Sequence, residues 1–417
     1  MVAGPGLDRP VPQPPRESVR PHRRQRGGRS AGPLLVGLAV GMVVLVLVLG
    51  VAWLSGGLSY AAWWLTTTTP PAVSLAGPSA VVRGPIQVAV QIPPRTQLLG
   101  AMVDGQPLAA GPTLTIDTAT LPDGPHRVQV EAEDQSFRRN RAEATFDLRT
   151  DNTPPRLTLD IQPGEVSQGH TWYLRVQTNE QAAVEATLDG KPLTIQAGNA
   201  FGWVAGGIDA DAEPKDLPLV VAGTDGAGNR SEQQATMHVV KTQYTSDRVD
   251  VSASLLPLLQ PQVRAAEDAH LAPTYANVTQ PKLWEGAFRM PVSGEIITQY
   301  GEVRSYNGNP FEGHHAGIDI AAPLSRPVVA PARARVALIE KVQLRGNVVV
   351  LDHGLGVFTT YAHLSEINVQ VGQEIAAGQP FAKVGTTGLS EGPHLHWELW
   401  VGGVNVDPVE WTKRSVP

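Results

Sequence analysis

The sequence predicts a mainly β protein of several domains, with one N-terminal membrane-spanning helix, two tandem β-sandwiches, a short helical linker and a C-terminal β domain. Three observations support this fold class. The 417-residue chain has 42 glycines and 36 prolines but few aromatic residues, which favours β modules joined by turns over a helical bundle. One long apolar run lies near the N-terminus, and a set of turn motifs occurs twice after it.

Charge and cysteine content exclude several classes of function. The formal net charge is −6, so there is no reason to expect nucleic-acid binding. No phosphate-binding glycine motif appears either. The chain contains no cysteine, which excludes a disulfide framework and a thiolate metal site. Histidine and carboxylate side chains must therefore hold any metal.

The N-terminal part reads as a basic tail followed by a membrane anchor. Residues 1–32 are rich in proline, glycine and arginine and predict a disordered tail. Residues 33–65 contain the uncharged apolar run Leu34–Leu54, which is long enough to cross about 30 Å of hydrocarbon. This length favours a retained anchor over a cleaved signal peptide. The arginines place the tail in the cytoplasm and the rest of the chain outside a cell membrane that it crosses once.

Residues 66–152 and 153–241 read as two β-sandwich domains. Strict alternation in Ile86–Ile92 and Arg127–Ala132 indicates half-buried strands. The segment Val103–Leu108 recurs as Leu188–Leu193, each with an Asp-Gly turn. The pair resembles tandem bacterial immunoglobulin-like modules. Such modules can bind wall polymer or a partner protein, but a spacer role is the simpler expectation because a fold alone does not license a binding claim.

Residues 242–285 predict a helical linker. Good helix formers fill the segment from Pro261 to Ala272, and proline suits a first helical turn. We expect Pro273 to end this helix. The segment is interpreted as a strut between domains. The alternative is that it covers the active-site cleft.

The C-terminal residues 286–417 contain closely spaced histidines and an aspartate. His315 and Asp319 are four positions apart, which on a straight strand would separate their Cα atoms by about 13 Å. One metal ion could not join them at that distance. We therefore predict a bend at Ala316–Gly317, with His315 in a loop and Asp319 on the following strand. Glycine permits such a bend.

Two further histidines lie on one predicted strand. His394 and His396 are two positions apart, so their side chains point to the same face and can enter one pocket. His363 ends another alternating strand and can approach the same pocket. Histidine and carboxylate ligands with one position left to water are typical of a catalytic zinc site.

These segments resemble a known family. His315-Ala316-Gly317-Ile318-Asp319, Tyr361-Ala362-His363-Leu364-Ser365 and Gly392-Pro393-His394-Leu395-His396 occur in the order found in the lysostaphin-type (LytM-like) zinc metallopeptidases that cut peptidoglycan. The resemblance covers about Met290 to Trp411. It implies a compact antiparallel β domain with a groove above a bound Zn²⁺ ion.

The resemblance also implies roles for five residues. His315, Asp319 and His396 would bind zinc, while His363 and His394 would activate water and stabilise the developing oxyanion. Neighbouring His314 is expected to point away from the metal, and His353 is expected to be structural. Glu391 stands where the family often has a small hydroxyl residue, and it adds a carboxylate at the edge of the cleft.

The sequence thus predicts a membrane-anchored zinc endopeptidase that hydrolyses peptide bonds in bacterial peptidoglycan. The alternative is a non-catalytic cell-wall scaffold that activates a separate peptidoglycan hydrolase, as some relatives with this fold do. Retention of all five residues favours the enzyme. A cell-division (divisome) or cell-wall protein is a further expected partner.

Overall fold

The computed structural model describes residues 32–197, 201–310 and 312–416. Within this part of the chain the fold is mainly β, which confirms the predicted fold class. The predicted basic tail lies outside the described residues, except that Gly32 begins the first helix. Contacts divide the chain into two compact units. The described part of the first unit comprises residues 32–73, 92–99 and 131–143, and the second contains the remainder.

The first unit is built around helix α1 (Gly32–Thr66). By length and composition, its segment Val40–Thr66 is long and apolar enough to cross a membrane. The aromatic end of the helix contacts polar and aromatic side chains of the same unit. The guanidinium of Arg95 lies over the rings of Tyr60 and Trp63, 4.9 and 4.8 Å from their centroids. Trp64 packs edge-on against Phe137 at 5.2 Å.

The region between residues 74 and 150 consists of short strands and tight turns. Its strands are β1 (Ser74–Ala76), β2 (Pro85–Gln91), β3 (Thr96–Val103), β4 (Gln106–Leu108), β5 (Thr113–Asp117), β6 (Gly124–Asp134) and β7 (Arg141–Thr150). The predicted alternation is confirmed, since Val88 on β2 and Val128 on β6 are fully buried. Asp104 and Gly105 both have positive φ, as a two-residue hairpin turn requires.

The next region, residues 157–240, forms two sheets that enclose a core. Its strands are β8 (Leu157–Gln162), β9 (Glu165–Ser167), β10 (Thr171–Thr178), β11 (Ala182–Leu188), β12 (Lys191–Leu193), β13 (Gln196–Ala197), β14 (Phe201–Gly207), β15 (Asp216–Asp225) and β16 (Arg230–Val240). The sheet orders are β13-β14-β10-β8 and β12-β11-β15-β16-β9. Buried Trp172, Leu219 and Met237 lie in the core of this sandwich. Immunoglobulin-like topology and the predicted domain boundaries stay predictions.

The linker is less helical than the sequence predicts. It contains strand β17 (Ser246–Val249), a 3₁₀ helix (Leu256–Leu259) and helix α2 (Pro261–Tyr275). Pro261 begins α2 as expected, but Pro273 lies inside the helix and does not end it. Tertiary contacts explain this error. Tyr275 is buried and stacks on Trp400 with ring centroids 4.0 Å apart, so packing of the last turn offsets the missing proline N–H.

The C-terminal region has an antiparallel sheet as its main layer. Its strands are β18 (Ile296–Thr298), β19 (Val303–Tyr306), β20 (Glu312–His314), β21 (Ile318–Ala321), β22 (Pro327–Val329), β23 (Ala334–Lys341), β24 (Asn347–Asp352), β25 (Val357–Ala362), β26 (Glu366–Ile367), β27 (Glu374–Ile375), β28 (Pro380–Lys383), β29 (His394–Val401) and β30 (Val404–Val406). The main sheet has the order β18-β21-β29-β25-β24-β23-β27, and β30 pairs with β29. Helix α3 (Pro408–Lys413) follows.

The second sandwich packs against this C-terminal region. Trp411 Nε1 donates a 2.9 Å hydrogen bond to Thr171 Oγ1, and the backbone N–H of Thr171 donates to Glu410 at 2.9 Å. The rings of Trp203 and Trp284 meet edge-on. These contacts join the second sandwich to the linker and to the C-terminal region.

Candidate active site

The predicted metal ligands meet at neighbouring strands of the main sheet. Asp319 on β21 lies directly opposite His396 on β29 in the antiparallel register. His315 follows β20 in a short non-strand segment. This arrangement matches the predicted loop position for His315 and strand position for Asp319, and the adjacent strands bring all three side chains together.

The bend that returns His315 towards Asp319 lies at Ala316–Gly317, as predicted. Residue 317 is glycine because a side chain would not fit there, and not because its φ is positive. A Cβ atom at position 317 would lie 2.2 Å from the carbonyl oxygen of Trp397. The bend therefore depends on close approach between the backbones of two neighbouring strands.

Three donor atoms form a small triangle. His315 Nε2 lies 3.1 Å from His396 Nδ1 and 3.2 Å from Asp319 Oδ1. His396 Nδ1 lies 2.9 Å from the same Asp319 oxygen. These three residues form one of the groups in the described chain that could hold a metal ion.

Hydrogen bonds on the far side of each ring determine which nitrogen faces the triangle. His315 Nδ1 lies 3.0 Å from the carbonyl oxygen of Gln299, which can only accept, so Nδ1 carries the proton and Nε2 is free to bind a metal. His396 is reversed: its Nε2 lies 3.0 Å from the carboxylate of Glu398, which leaves Nδ1 facing the triangle.

The other two predicted histidines lie beside this triangle. His363 and His394 have ring centroids 4.7 Å apart. His363 Nδ1 donates to the carbonyl oxygen of Thr387 at 2.7 Å, and His394 Nδ1 donates to that of Gly392 at 2.8 Å. Each ring therefore presents Nε2 as a lone-pair acceptor. His394 Nε2 is 3.8 Å from Asp319 Oδ1, so this acceptor is close to the triangle.

Burial and neighbouring charges together determine the charge states of these groups. Burial, together with the neighbouring His394, lowers the pKa of His363 to about 3. Burial likewise lowers the pKa of His315. Burial alone would raise the pKa of Asp319, but His315 and His396 hold it well below its usual range. Burial alone would lower the pKa of His396, but its hydrogen bonds to Asp319 and Glu398 raise it. Neutral imidazoles and an ionised carboxylate are the forms that bind a metal, so metal binding would release a proton whenever His396 is charged.

Three other residues singled out from the sequence, His314, His353 and Glu391, lie outside the triangle. His314 points away from the triangle, with Nε2 2.8 Å from Asp211 of the second sandwich. His353 is buried between β24 and β25, where Thr359 Oγ1 lies 2.8 Å from its Nε2. Glu391 lies on the groove and accepts a 2.7 Å hydrogen bond from the backbone N–H of Ser252.

Sequence reasoning missed three charged residues around the triangle. Arg304 Nη2 donates to Asp319 Oδ2 at 2.8 Å. Glu398 is fully buried beside His396, and Arg345 Nε donates to it at 2.7 Å. Glu398 could have been found, since it lies two positions after His396 on the same strand and thus on the same face. Arg304 and Arg345 come from loops and short strands with no such signal.

The linker forms one wall of the groove above the triangle. Strand β17 pairs in parallel with β19. The side chain of Asn307 then accepts from the N–H of Val251 at 2.8 Å and donates to its carbonyl oxygen at 3.1 Å. Val249, Val251 and Leu255 line the same groove as His394. Of the two roles considered for the linker, this contact supports partial cover of the cleft.

A comparison with protein families identifies the C-terminal region. Residues 313–408 match the model described as Peptidase family M23. The C-terminal domain is an M23 peptidase domain. This confirms the resemblance to LytM-like peptidases, and the matched residues include His315, Asp319, His363, His394 and His396.

Curated proteins with similar sequences include a hydrolase activator and a hydrolase. The chain is 29% identical over 230 residues to the murein hydrolase activator NlpD of Salmonella dublin, a match that covers 52% of this chain and 57% of that protein. It is 40% identical over 103 residues to the peptidoglycan DD-endopeptidase ShyA of Vibrio cholerae, covering 25% of this chain and 23% of that protein. The chain thus spans a little over half of the first relative and less than a quarter of the second.

Solved structures include a similar catalytic domain. The catalytic domain of the antimicrobial peptidase lysostaphin from Staphylococcus simulans is 26% identical in sequence. The match covers 31% of this chain and 92% of that chain, with a TM-score of 0.24.

Proposed function

We propose that the M23 domain is a zinc-dependent endopeptidase that hydrolyses peptide bonds in bacterial peptidoglycan outside the cytoplasmic membrane. The observation that carries this proposal is the His315–Asp319–His396 triangle with two further imidazoles beside it. The match to a peptidase family supports hydrolysis of peptide bonds, and the similarity to a protein named a peptidoglycan DD-endopeptidase supports peptidoglycan as the substrate. The five residues predicted from the sequence keep their proposed roles.

The donor triangle fits a zinc ion. A tetrahedral zinc with ligands at about 2.0 Å holds neighbouring donor atoms about 3.3 Å apart. The three observed separations, 2.9, 3.1 and 3.2 Å, are close to this value. Two neutral imidazoles and one carboxylate are also a usual ligand set for catalytic zinc, and they leave one position open.

The residues beside the triangle supply proton transfer. Zinc, when bound, activates water as a nucleophile and polarises the peptide carbonyl group. His394 Nε2 has an available lone pair near Asp319, so we assign it as the base that takes a proton from the attacking water. His363 presents a second Nε2 across from His394, where it can stabilise the oxyanion while it holds the proton that His394 took from the water. The pair then returns a proton to the leaving amine, and no covalent intermediate is needed.

Helix α1 is proposed to hold the enzyme at the membrane. Its apolar run Leu34–Leu54 is followed by Tyr60, Trp63 and Trp64, residue types enriched where a helix leaves the bilayer. The arginine-rich residues before the helix favour a cytoplasmic N-terminus. The β regions would then place the M23 domain near the cell wall, where peptidoglycan is the substrate.

The second candidate function is activation of another cell-wall hydrolase. The similarity to NlpD, which is named a murein hydrolase activator, favours it. In this role the groove would bind a protein partner of the cell-division or cell-wall machinery. Presence of all five histidine and aspartate residues in one site favours catalysis, because an activator does not need metal ligands or a base.

Peptidoglycan digestion tests the proposal. Full-length protein loaded with zinc is incubated with purified peptidoglycan, and mass spectrometry identifies new free amino termini. The His394→Ala variant, which keeps the three donor atoms, serves as a matched control. Products from the parent that are absent with the variant would support the enzyme and identify the bond. Failure of folded, zinc-loaded parent protein to cut peptidoglycan would favour the activator.

A further inference from the structure

A buried chain of charged groups connects the metal triangle to helix α2. It begins at His396, whose Nε2 lies 3.0 Å from Glu398 Oε1. Arg345 Nε donates to the same oxygen at 2.7 Å. The other carboxylate oxygen of Glu398 accepts a 2.8 Å hydrogen bond from Trp400 Nε1. Glu398 is thus held from three sides and is fully buried.

Helix α2 provides the other end of this chain. Arg345 Nη1 donates to Glu267 at 3.0 Å and to Asp268 at 2.9 Å. Glu267 also accepts from the backbone N–H groups of Leu344 and Arg345, at 2.7 and 3.1 Å. Consecutive residues of the linker helix therefore fix the loop that carries Arg345, and both carboxylates contact its guanidinium.

The burial of these charges explains why the groups need each other. Side chains of Arg345, Glu267 and Glu398 have exposures of 11%, 4% and 0%. A buried charge without a partner is costly, so a single cation between two buried carboxylates keeps all three in place. The planar guanidinium suits this position, since it donates in several fixed directions at once.

We propose that Arg345 and Glu398 are positioning residues for the metal site, and that Glu267 and Asp268 of helix α2 complete this support. Glu398 accepts the Nε2 proton of His396 and so directs Nδ1 towards the metal. Arg345 holds Glu398, and helix α2 holds Arg345. Helix α2 precedes residues 313–408, the segment that matches the M23 family, so the site extends into the linker. This inference rests on the proposed zinc function.

Loss of an outer partner of a metal-binding histidine typically weakens metal binding by about 10–100-fold. We therefore expect the double variant Glu267→Gln/Asp268→Asn to bind zinc about tenfold more weakly than the parent. We expect a similar loss of zinc affinity for Arg345→Lys, because an ammonium group cannot donate in the several fixed directions that the guanidinium uses. Neither change removes an atom of the donor triangle.

The measurement is zinc affinity of the full-length protein, obtained by competition with a chromophoric chelator. Glu340→Gln is the matched control. It removes the charge from the 2.6 Å contact between His270 on α2 and Glu340 on β23, which ties the same helix to the sheet but does not reach His396. This control is expected to keep the zinc affinity of the parent within about twofold.

Thermal unfolding of the metal-free proteins separates positioning from simple stability. A purely structural role for Glu267 and Asp268 would lower the unfolding temperature and leave zinc affinity unchanged, and that result would overturn the inference. If the double variant does not fold, zinc affinity is measured for the single variant Asp268→Asn, because Asp268 is half exposed. Unchanged zinc affinity of this single variant would again overturn the inference. Absence of zinc binding by the parent would instead overturn the proposed function.

Discussion

Arg304 donates a 2.8 Å hydrogen bond to the Asp319 oxygen that faces away from the donor triangle. Both side chains are largely buried, with exposures of 17% and 7%. The guanidinium therefore orients the carboxylate and balances its charge in the absence of a metal. With a metal present, a second positive charge is available to the same carboxylate.

Arg304→Gln should destabilise the metal-free protein and increase the stabilisation that zinc provides. Removing one partner of a buried ion pair costs about 3–5 kcal/mol, since the other charge is left unpaired. Zinc at the triangle would replace part of the lost positive charge. Thermal unfolding with and without zinc measures both effects. A zinc-dependent shift no larger than that of the parent would contradict this prediction.

Gly317→Ala should disrupt the bend that carries His315. The added methyl group would lie 2.2 Å from the Trp397 carbonyl oxygen and 3.1 Å from Glu398 Cγ. Such overpacking costs about 1–3 kcal/mol or more and would displace β21 from β29. The expected result is a lower unfolding temperature together with weaker zinc binding.

The matched control for this change is Gly226→Ala. Its added methyl group would have no neighbouring atom within 4 Å, and its φ is not in the left-handed region. We expect little change in either measurement. Equal effects of the two substitutions would show that close packing at residue 317 is not the reason for its glycine.

His353 should make stability depend on pH. Burial lowers its pKa to about 4, from 6.5 in a solvent-exposed state. The unfolded chain therefore takes up a proton more readily than the folded one. The stabilising effect is fully present above pH 6.5 and is lost as the pH falls towards 4, by up to about 3 kcal/mol.

Denaturant unfolding at several pH values tests this dependence. The His353→Gln variant should lose less free energy of unfolding on acidification than the parent, because the contribution of His353 is absent. The exposed His238→Gln is the control and should keep the parental pH dependence. An identical loss of stability on acidification in parent and His353→Gln would contradict the prediction.

Membrane topology can be tested by cysteine labelling, because the chain has no natural cysteine. We expect Lys191→Cys, an exposed position in the second sandwich, to react with a membrane-impermeant maleimide in intact spheroplasts or protoplasts. Asp8→Cys should react after the membrane is disrupted. Labelling of Asp8→Cys before disruption would contradict the proposed orientation, and its loss from the mature chain would indicate a cleaved signal.

The sequence predicted the elements that depend on local pattern. Alternation located strands such as β2, and spacing placed His394 and His396 on one face. It also required the bend before Asp319, since a straight strand would keep His315 too far away. These predictions concern residues close together in the chain, for which backbone geometry alone determines the direction and separation of the side chains.

Features that depend on distant partners could not be predicted. Pro273 stays within α2 because Tyr275 stacks on Trp400, more than a hundred positions later. Arg345 reaches the site because carboxylates of α2 and β29 surround it. Patterns in a single sequence carry no information about such pairings. The residues that hold His396 in position could therefore be identified only from the structure.

The reversed orientations of His315 and His396 have a spectroscopic consequence. With zinc bound, His315 would carry its proton on Nδ1, beside the Gln299 carbonyl oxygen, and His396 would carry its proton on Nε2, beside the Glu398 carboxylate. Two opposite imidazole tautomers therefore lie side by side in one small cluster. In nitrogen-15 spectra of histidine-labelled, zinc-loaded protein, each ring should give the pattern of a different fixed tautomer, and added zinc should perturb Nε2 of one ring but Nδ1 of the other.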